Sequence, residues 1–243
     1  MALHRVARAA RLLREPGRVP AAIVRRILPR HPRLGFTWVH LADGSVTFRE
    51  AGFVSASSPA LLLARHNYET ARIAALLAGR PFEASLEVGC GYGRLTPTFA
   101  RCSRQHTAID INPDALAQAR ATYPAYDFRP GSATEIPFPD DSFDLVCTWT
   151  VIQHVPPDRI AQACAELLRV LRPGGCLLLC EETATPATTP ARRHTWERSE
   201  SEYGALLQPL RLADSGFIDE IDALPGMRSP GRVMLWVDDA AGA

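Results

Sequence analysis

Residues 84–97, ASLEVGCGYGRLTP, join a short apolar run to three glycines placed at every second position. Ala84 to Val88 has the length and character of a buried strand, and Gly89, Gly91 and Gly93 mark a sharp turn into a helix over Arg94 to Cys102. Downstream, strands are predicted at Thr107–Ile111, Tyr126–Arg129, Phe143–Trp149 and Cys176–Cys180, the last after a Pro173-Gly174-Gly175 turn. Between them, Asn112-Pro113-Asp114 supplies an N-cap, a first-turn proline and an acid for a helix through Thr122. A second helix, Asp158 to Leu171, turns Ile160, Cys164, Leu167 and Leu171 inward. Alternating strand and helix predicts a parallel sheet covered on both faces. A helix from Ser199 to Ala213 and an antiparallel pair, Phe217–Ile221 with Arg232–Val237, are expected to close the chain.

The glycine turn is where such a sheet brings a nucleotide closest, because ligands bind beyond the carboxyl ends of parallel strands. Glycine there takes positive φ and lets the backbone approach a ligand. Asp110, at the end of the next strand, is placed to accept both hydroxyls of a ribose. The spacing discriminates between ligands: a dinucleotide fingerprint is GxGxxG, whereas this turn is GxGxG with Arg94 where the third glycine would stand. Glu87, two residues before Gly89, would repel a pyrophosphate and attract a cationic amino-acid end. These details favour S-adenosylmethionine over NAD.

The stretches LEVGCGYGRLTP, AIDINPDAL, GSATEIPFPDDSFDLV, VIQHV and LLRVLRPGG together resemble, in order, the motifs of class I S-adenosylmethionine-dependent methyltransferases of the type 11 family, across roughly residues 84 to 181. The resemblance implies a Rossmann-like fold, a mainly parallel seven-stranded sheet with an antiparallel closing strand. It also implies that Glu87, Gly89, Cys90, Gly91 and Gly93 surround the methionine part of the cofactor. Asp110 and Ile111 would take the ribose and adenine, Ser132 and Ala133 the adenine edge, and Thr148 and Trp149 the amino-acid end. The family commonly has Asp where Ser132 stands, and a hydroxyl accepts from the adenine amino group less strongly than a carboxylate.

For the acceptor side, His154 lies just past the fourth strand of the core and is the candidate base. Glu181 and Glu182, at the fifth strand's carboxyl end, are the alternatives to it, and His66, Tyr68, Glu181, His194, Trp196 and Tyr203 are candidates for lining a substrate pocket. Some quinone-pathway O-methyltransferases carry a metal-binding E-x-x-E-H here; Thr150-x-x-Gln153-His154 lacks both acids, so no metal is expected. The six cysteines show no CxxC pair or Cys/His ligand spacing, and read as buried thiols of a reducing compartment.

The chain of 243 residues suffices for one filled α/β core. Residues 81–243 are expected to form it, and residues 1–80 an extension that caps the active site and, with 183–204, sets acceptor specificity. In that extension an amphipathic helix over the first fourteen residues carries Arg5, Arg8, Arg11 and Arg14 opposite Leu3, Val6, Ala10 and Leu13. A second helix spans Pro20–Leu28. Phe36–Leu41 and Val46–Arg49 flank Asp43-Gly44 as a hairpin, and a long helix starts at Ser58-Pro59 and closes at Gly79 and Pro81. A net charge of +1 argues against nucleic acid as a partner. The basic first helix, in contrast, suits peripheral contact with an anionic membrane, an acidic substrate or a capping role. No secretory h-region or membrane span is present, so the cytoplasm is the expected address. The expected reaction is methylation of a small molecule, favoured as O-methylation of a sugar-like or specialised metabolite. The alternatives are N- or C-methylation, or a S-adenosylmethionine-binding regulator without turnover. Nothing in the sequence sets the oligomeric state.

Overall fold

A computed structural model describes residues 38–40, 46–48, 55–56, 59–183, 195–217 and 231–238. The helices expected over 1–14 and 20–28, the hairpin tip Asp43-Gly44, His194 and the stretch Ile218–Ile221 lie outside the described residues. The chain divides into two compact units: residues 1–67 with 222–228, and residues 68–221 with 229–243.

In the first unit β1 (Trp38–His40), β2 (Val46–Phe48) and β3 (Ser55–Ala56) form an antiparallel sheet in that order. Trp38 pairs with Phe48, so the two strands expected around Asp43-Gly44 are indeed partners. The long helix α1 (Pro59–Leu77) begins at the expected proline and crosses the division between the units. Gly79, at φ +74, follows its end.

The second unit is built on a seven-stranded sheet. Its strands are β4 (Phe82–Val88), β5 (Ser103–Asp110), β6 (Asp127–Pro130), β7 (Phe143–Trp149), β8 (Leu171–Glu182), β9 (Arg211–Phe217) and β10 (Gly231–Val237). They lie in the order β6-β5-β4-β7-β8-β10-β9. The first five run parallel, and β10 is antiparallel to both neighbours. This is the Rossmann-like sheet with an antiparallel closing strand that the motif order implied. The order reverses between β4 and β7, so the carboxyl ends of β4, β5 and β7 open on the crevice where ligands bind in such sheets.

Helices α2 (Thr96–Phe99), α3 (Pro113–Thr122), α4 (Ile160–Val170) and α5 (Glu200–Leu206) connect the strands. Alternate residues of the central strands, Leu86, Val88, Val146, Leu177, Leu179, Met234 and Trp236, belong to one core cluster with Ile160, Cys164 and Leu167 of α4 and with Tyr203 and Leu207. A smaller cluster joins Leu116 and Ala119 of α3 to Ala108, Phe128 and Cys90. Asn112 caps α3 as expected, its side chain accepting from Asp114 N–H (3.0 Å) and Ala115 N–H (3.2 Å).

Two helix expectations fail in their extent. The helix predicted over Ser199–Ala213 ends at Leu206, and Arg211–Phe217 is a strand paired along β10. Pro209 has no N–H to continue a helix, and the edge of β10 offers Arg211–Phe217 a ladder of backbone partners. The helix expected over Arg94–Cys102 is likewise shorter, four residues of α2 followed by one 3-10 turn, Ala100–Cys102.

Candidate active site at the carboxyl ends of the strands

The glycine turn is held against the next strand by its own backbone. Gly89 and Cys90 N–H both donate to Ile109 C=O (2.7 and 2.9 Å), and Gly93 N–H donates to Cys90 C=O (2.9 Å). At Gly89, with φ +76, a Cβ would stand 2.4 Å from Val151 Cγ2, so the turn touches the loop that follows β7. At Gly91, with φ +53, a Cβ would meet nothing within 4 Å, which leaves that side of the turn open.

Asp110 ties this turn to the start of α3. Its Oδ2 accepts from Gly91 N–H (2.7 Å) and its Oδ1 from Asn112 N–H (2.8 Å). Each oxygen keeps a further lone pair. Ile111 beside it is 76% exposed, and among the described residues it is the one large hydrophobic left in water. Gly131 N–H donates to Asp110 C=O (3.1 Å), which brings the loop after β6 alongside. In that loop Ser132 Oγ is engaged by Thr134, to its hydroxyl (2.9 Å) and from its N–H (3.2 Å), and Ala133 is buried.

Glu87 is not turned toward an open face. It is buried beneath the turn, accepting from the Thr96 hydroxyl, with His106 Nε2 at 3.6 Å. His106 Nδ1 in turn meets Ser85 Oγ (2.7 Å). Any attraction of Glu87 for a cationic ligand therefore acts as charge across the turn. Cys90 is also buried, and burial first, then the carboxylates of Glu87 and Asp110, pushes its thiol well above the ordinary range. Such burial suits packing rather than thiolate chemistry.

At the end of β7 the backbone becomes irregular. Thr148 is buried and its hydroxyl donates to Glu181 Oε1 (2.6 Å). Trp149 is buried with its indole N–H unpartnered. Thr150 stands at φ +58, sparsely populated for a β-branched residue, with its N–H on Cys180 C=O (2.6 Å). A 3-10 turn, Ile152–His154, then presents His154, whose ring is exposed and whose Nε2 lies 3.3 Å from Gln153 Nε2.

Two pocket candidates are corrected by burial. Glu181 is completely buried and accepts from the N–H groups of Val151 and Gln153, so it supports the loop from below rather than lining an open wall. Tyr203, also completely buried, is part of the α4/α5 core. Trp196 is half-buried with its N–H on Gln153 C=O (2.8 Å), and His66 and Tyr68 are half-buried on α1. Glu182 is 9% exposed. Two residues to which sequence reasoning gave no role of their own do matter. Arg94 forms a buried ion pair with Glu69 of α1 (2.6 Å), joining that helix to the glycine turn. Arg198 binds the carbonyls of Ile152 and Val155. Arg94 was visible as a charge in a glycine's place; Arg198 carried no signal. A cavity of about 640 Å³ near Arg80, Pro81 and Cys102 lies at the amino ends of β4 and β5, away from this chemistry.

Fold and site together define an α/β protein whose glycine turn and strand-end acid lie where nucleotides bind in such sheets. Residues 86–179 match a family model described as a methyltransferase domain. A Mycolicibacterium smegmatis protein named a probable S-adenosylmethionine-dependent methyltransferase is 37% identical over 149 residues, 59% of this chain and 56% of its own. The malonyl-[acyl-carrier protein] O-methyltransferase of Salmonella typhimurium is 30% identical over 174 residues, 69% of this chain and 64% of its own. The chain thus spans between half and two thirds of these relatives' lengths. A Burkholderia thailandensis 1,6-didemethyltoxoflavin-N1-methyltransferase, solved with S-adenosylhomocysteine, shares the fold with a TM-score of 0.56 at 23% identity, over 72% of this chain and 78% of that one. Residues 86–179 thus form a methyltransferase domain of the type 11 family, and S-adenosylmethionine is the cofactor that its relatives are named for.

Two predictions follow from the geometry of the turn and its support. Gly89→Ala, strained by its φ and by Val151, should lower stability by about 1–3 kcal/mol and weaken S-adenosylmethionine binding. Adding Val151→Ala should recover part of both in thermal melts and titration calorimetry, whereas strictly additive losses would deny the contact. Separately, burial pushes the Glu181 carboxyl up to about 7 from 4.5, against the hydrogen bonds from Thr148 and the loop N–H groups. A folded-state value above the unfolded one stabilises fully below about pH 4.5, and that contribution is lost as pH rises through about 7. Glu181→Gln should therefore remove a decline in melting temperature between pH 5 and 8; identical pH dependence in both proteins would contradict the assignment.

Proposed function

We propose that this chain transfers a methyl group from S-adenosylmethionine to a small-molecule acceptor, with oxygen of a sugar-like or specialised metabolite as the favoured target. The observation that carries this reading is the exposed imidazole of His154 on a fixed turn whose Val151 packs on Gly89. A base thereby stands on the loop that touches the cofactor turn.

When bound, the cofactor supplies an electrophilic methyl on a sulfonium that departs as a neutral thioether. The protein's own tasks are to hold it, align the acceptor in line, exclude water and take a proton where the acceptor carries one. The open side of Gly91 gives the ligand backbone access, the free lone pairs of Asp110 take ribose hydroxyls, and exposed Ile111 offers an apolar face to adenine. Ser132 and Ala133 would border the adenine edge, and Thr148 and Trp149 the amino-acid end. His154 would receive the acceptor's proton. The O-methyltransferase name of the Salmonella relative supports oxygen as the target.

Residues 1–80 act in this reading as a cap over the core of residues 81–243, and with 183–204 they select the acceptor. Among the described residues no helix is long and apolar enough to cross a membrane. We place the protein in the cytoplasm, with peripheral membrane contact through the basic N-terminus as an outcome to test.

The test is S-adenosylhomocysteine production, read by mass spectrometry, with S-adenosylmethionine and a panel of hydroxyl, amine and carbon-acid acceptors. Hydroxyl acceptors should be turned over best, and His154→Gln should lower kcat by about 10²–10⁴ with cofactor affinity unchanged. Cofactor binding without product for any acceptor would instead make the chain a non-catalytic S-adenosylmethionine-binding protein.

A further inference from the structure

A buried carboxyl group and a buried guanidinium lie beneath the turn that carries His154; the first accepts from backbone N–H groups and the second donates to backbone carbonyls. Glu181, with no exposure, accepts from Val151 N–H (3.0 Å to Oε2, 3.2 Å to Oε1), Gln153 N–H (3.1 Å) and the Thr148 hydroxyl (2.6 Å). Arg198, 6% exposed, donates to Ile152 C=O (3.1 Å) and Val155 C=O (2.7 Å). Around them Gln153 is fixed twice more, its C=O by Trp196 N–H (2.8 Å) and its side-chain oxygen by Glu182 N–H (2.6 Å).

The backbone of residues 150–155 is thereby held at nearly every peptide, although it is irregular and begins with Thr150 at positive φ. Such a conformation persists only where its surroundings over-determine it. Burying a carboxyl group and a guanidinium is costly, and an ordinary surface turn needs neither. What this one gains is a defined place for the single exposed side chain at its end. A functional group held by packed supporting residues keeps the sub-ångström geometry that reaction requires.

We propose that Glu181 and Arg198 are positioning residues, which set where the His154 imidazole stands relative to the sulfonium of the bound cofactor. The proposal rests on the role given to His154 above. Glu181→Gln preserves the arrangement, because its amide oxygen still faces the two N–H groups while its NH₂ faces Thr148, whose hydroxyl can turn to accept. Glu181→Leu leaves both N–H groups without an acceptor, and Arg198→Met leaves Val155 C=O without its donor and Ile152 C=O with Val155 N–H alone.

The experiment uses the full chain with labelled histidine, the His154 signal being assigned with His154→Gln, and follows its imidazole titration by NMR in complex with S-adenosylmethionine and then with S-adenosylhomocysteine. A nearby cation disfavours imidazolium, so His154 should titrate lower beside the sulfonium than beside the neutral thioether, by at least about 0.5 pH unit. The difference should appear in the wild type and Glu181→Gln and vanish in Glu181→Leu and Arg198→Met, with affinity for S-adenosylhomocysteine within about threefold throughout. Retention of the difference in Glu181→Leu and Arg198→Met overturns the proposal, as does its loss together with cofactor affinity, which marks general damage. If the wild type shows no difference, the placement of His154 fails, and amide exchange decides the rest. Val151 and Gln153 should then exchange at least about tenfold faster in Glu181→Leu than in the wild type, and equal rates overturn the proposal. Should Glu181→Leu fail to fold, Glu181→Asp, one methylene shorter, takes its place with the same expectations.

Discussion

The contact between Gly89 and Val151 is the constraint on which the site depends. β4 and β7 are adjacent parallel strands, so their carboxyl ends emerge side by side, and the two loops that leave them must pass with no room for a side chain on one. The first loop is the cofactor turn, and the second ends in His154. Asp110, at the end of β5, closes the other flank by accepting from Gly91 N–H. Three consecutive strand ends thus hold the turn, the acid and the imidazole as one body, which loops on separate elements would not achieve.

Beneath this rim lie several buried polar and ionisable side chains. Glu87 with Thr96 and His106, Arg94 with Glu69, and Glu181 and Arg198 under the His154 turn are all buried. Buried ionisable groups are poor sources of net stability, because desolvation consumes much of what their partners return. Their concentration under the loops, rather than across the α4/α5 core, fits a use in fixing geometry. For Arg94 and Glu69, removing one partner would cost more than the pair contributes, since the other is left charged and dry.

Much of the architecture was legible because its signals are local. β7 was bounded to the residue by its apolar run, and α3 by Asn112, Pro113 and Asp114, whose capping chemistry needs no tertiary context. The glycines and Asp110 were legible for the same reason. What failed was decided by distant partners. The segment from Ser199 reads as one long helix, but Arg211–Phe217 pairs with β10, a strand that begins some fourteen residues further along. Glu181 at a strand's end suggests a solvated acid, and only the loop folding back over it reveals burial. Tyr203 looks like a pocket aromatic until α5 is packed against α4. Arg198 draws its meaning from two carbonyls more than forty residues away.

The most direct test of the central claim is calorimetric titration of S-adenosylmethionine and of NADH into the wild-type chain and into Asp110→Ala. The account predicts one S-adenosylmethionine per chain, weaker binding of NADH, and a loss of at least about tenfold in S-adenosylmethionine affinity, or about 1.4 kcal/mol, when Asp110 is truncated. Tighter binding of NADH, or S-adenosylmethionine affinity that Asp110→Ala leaves unchanged, would contradict it.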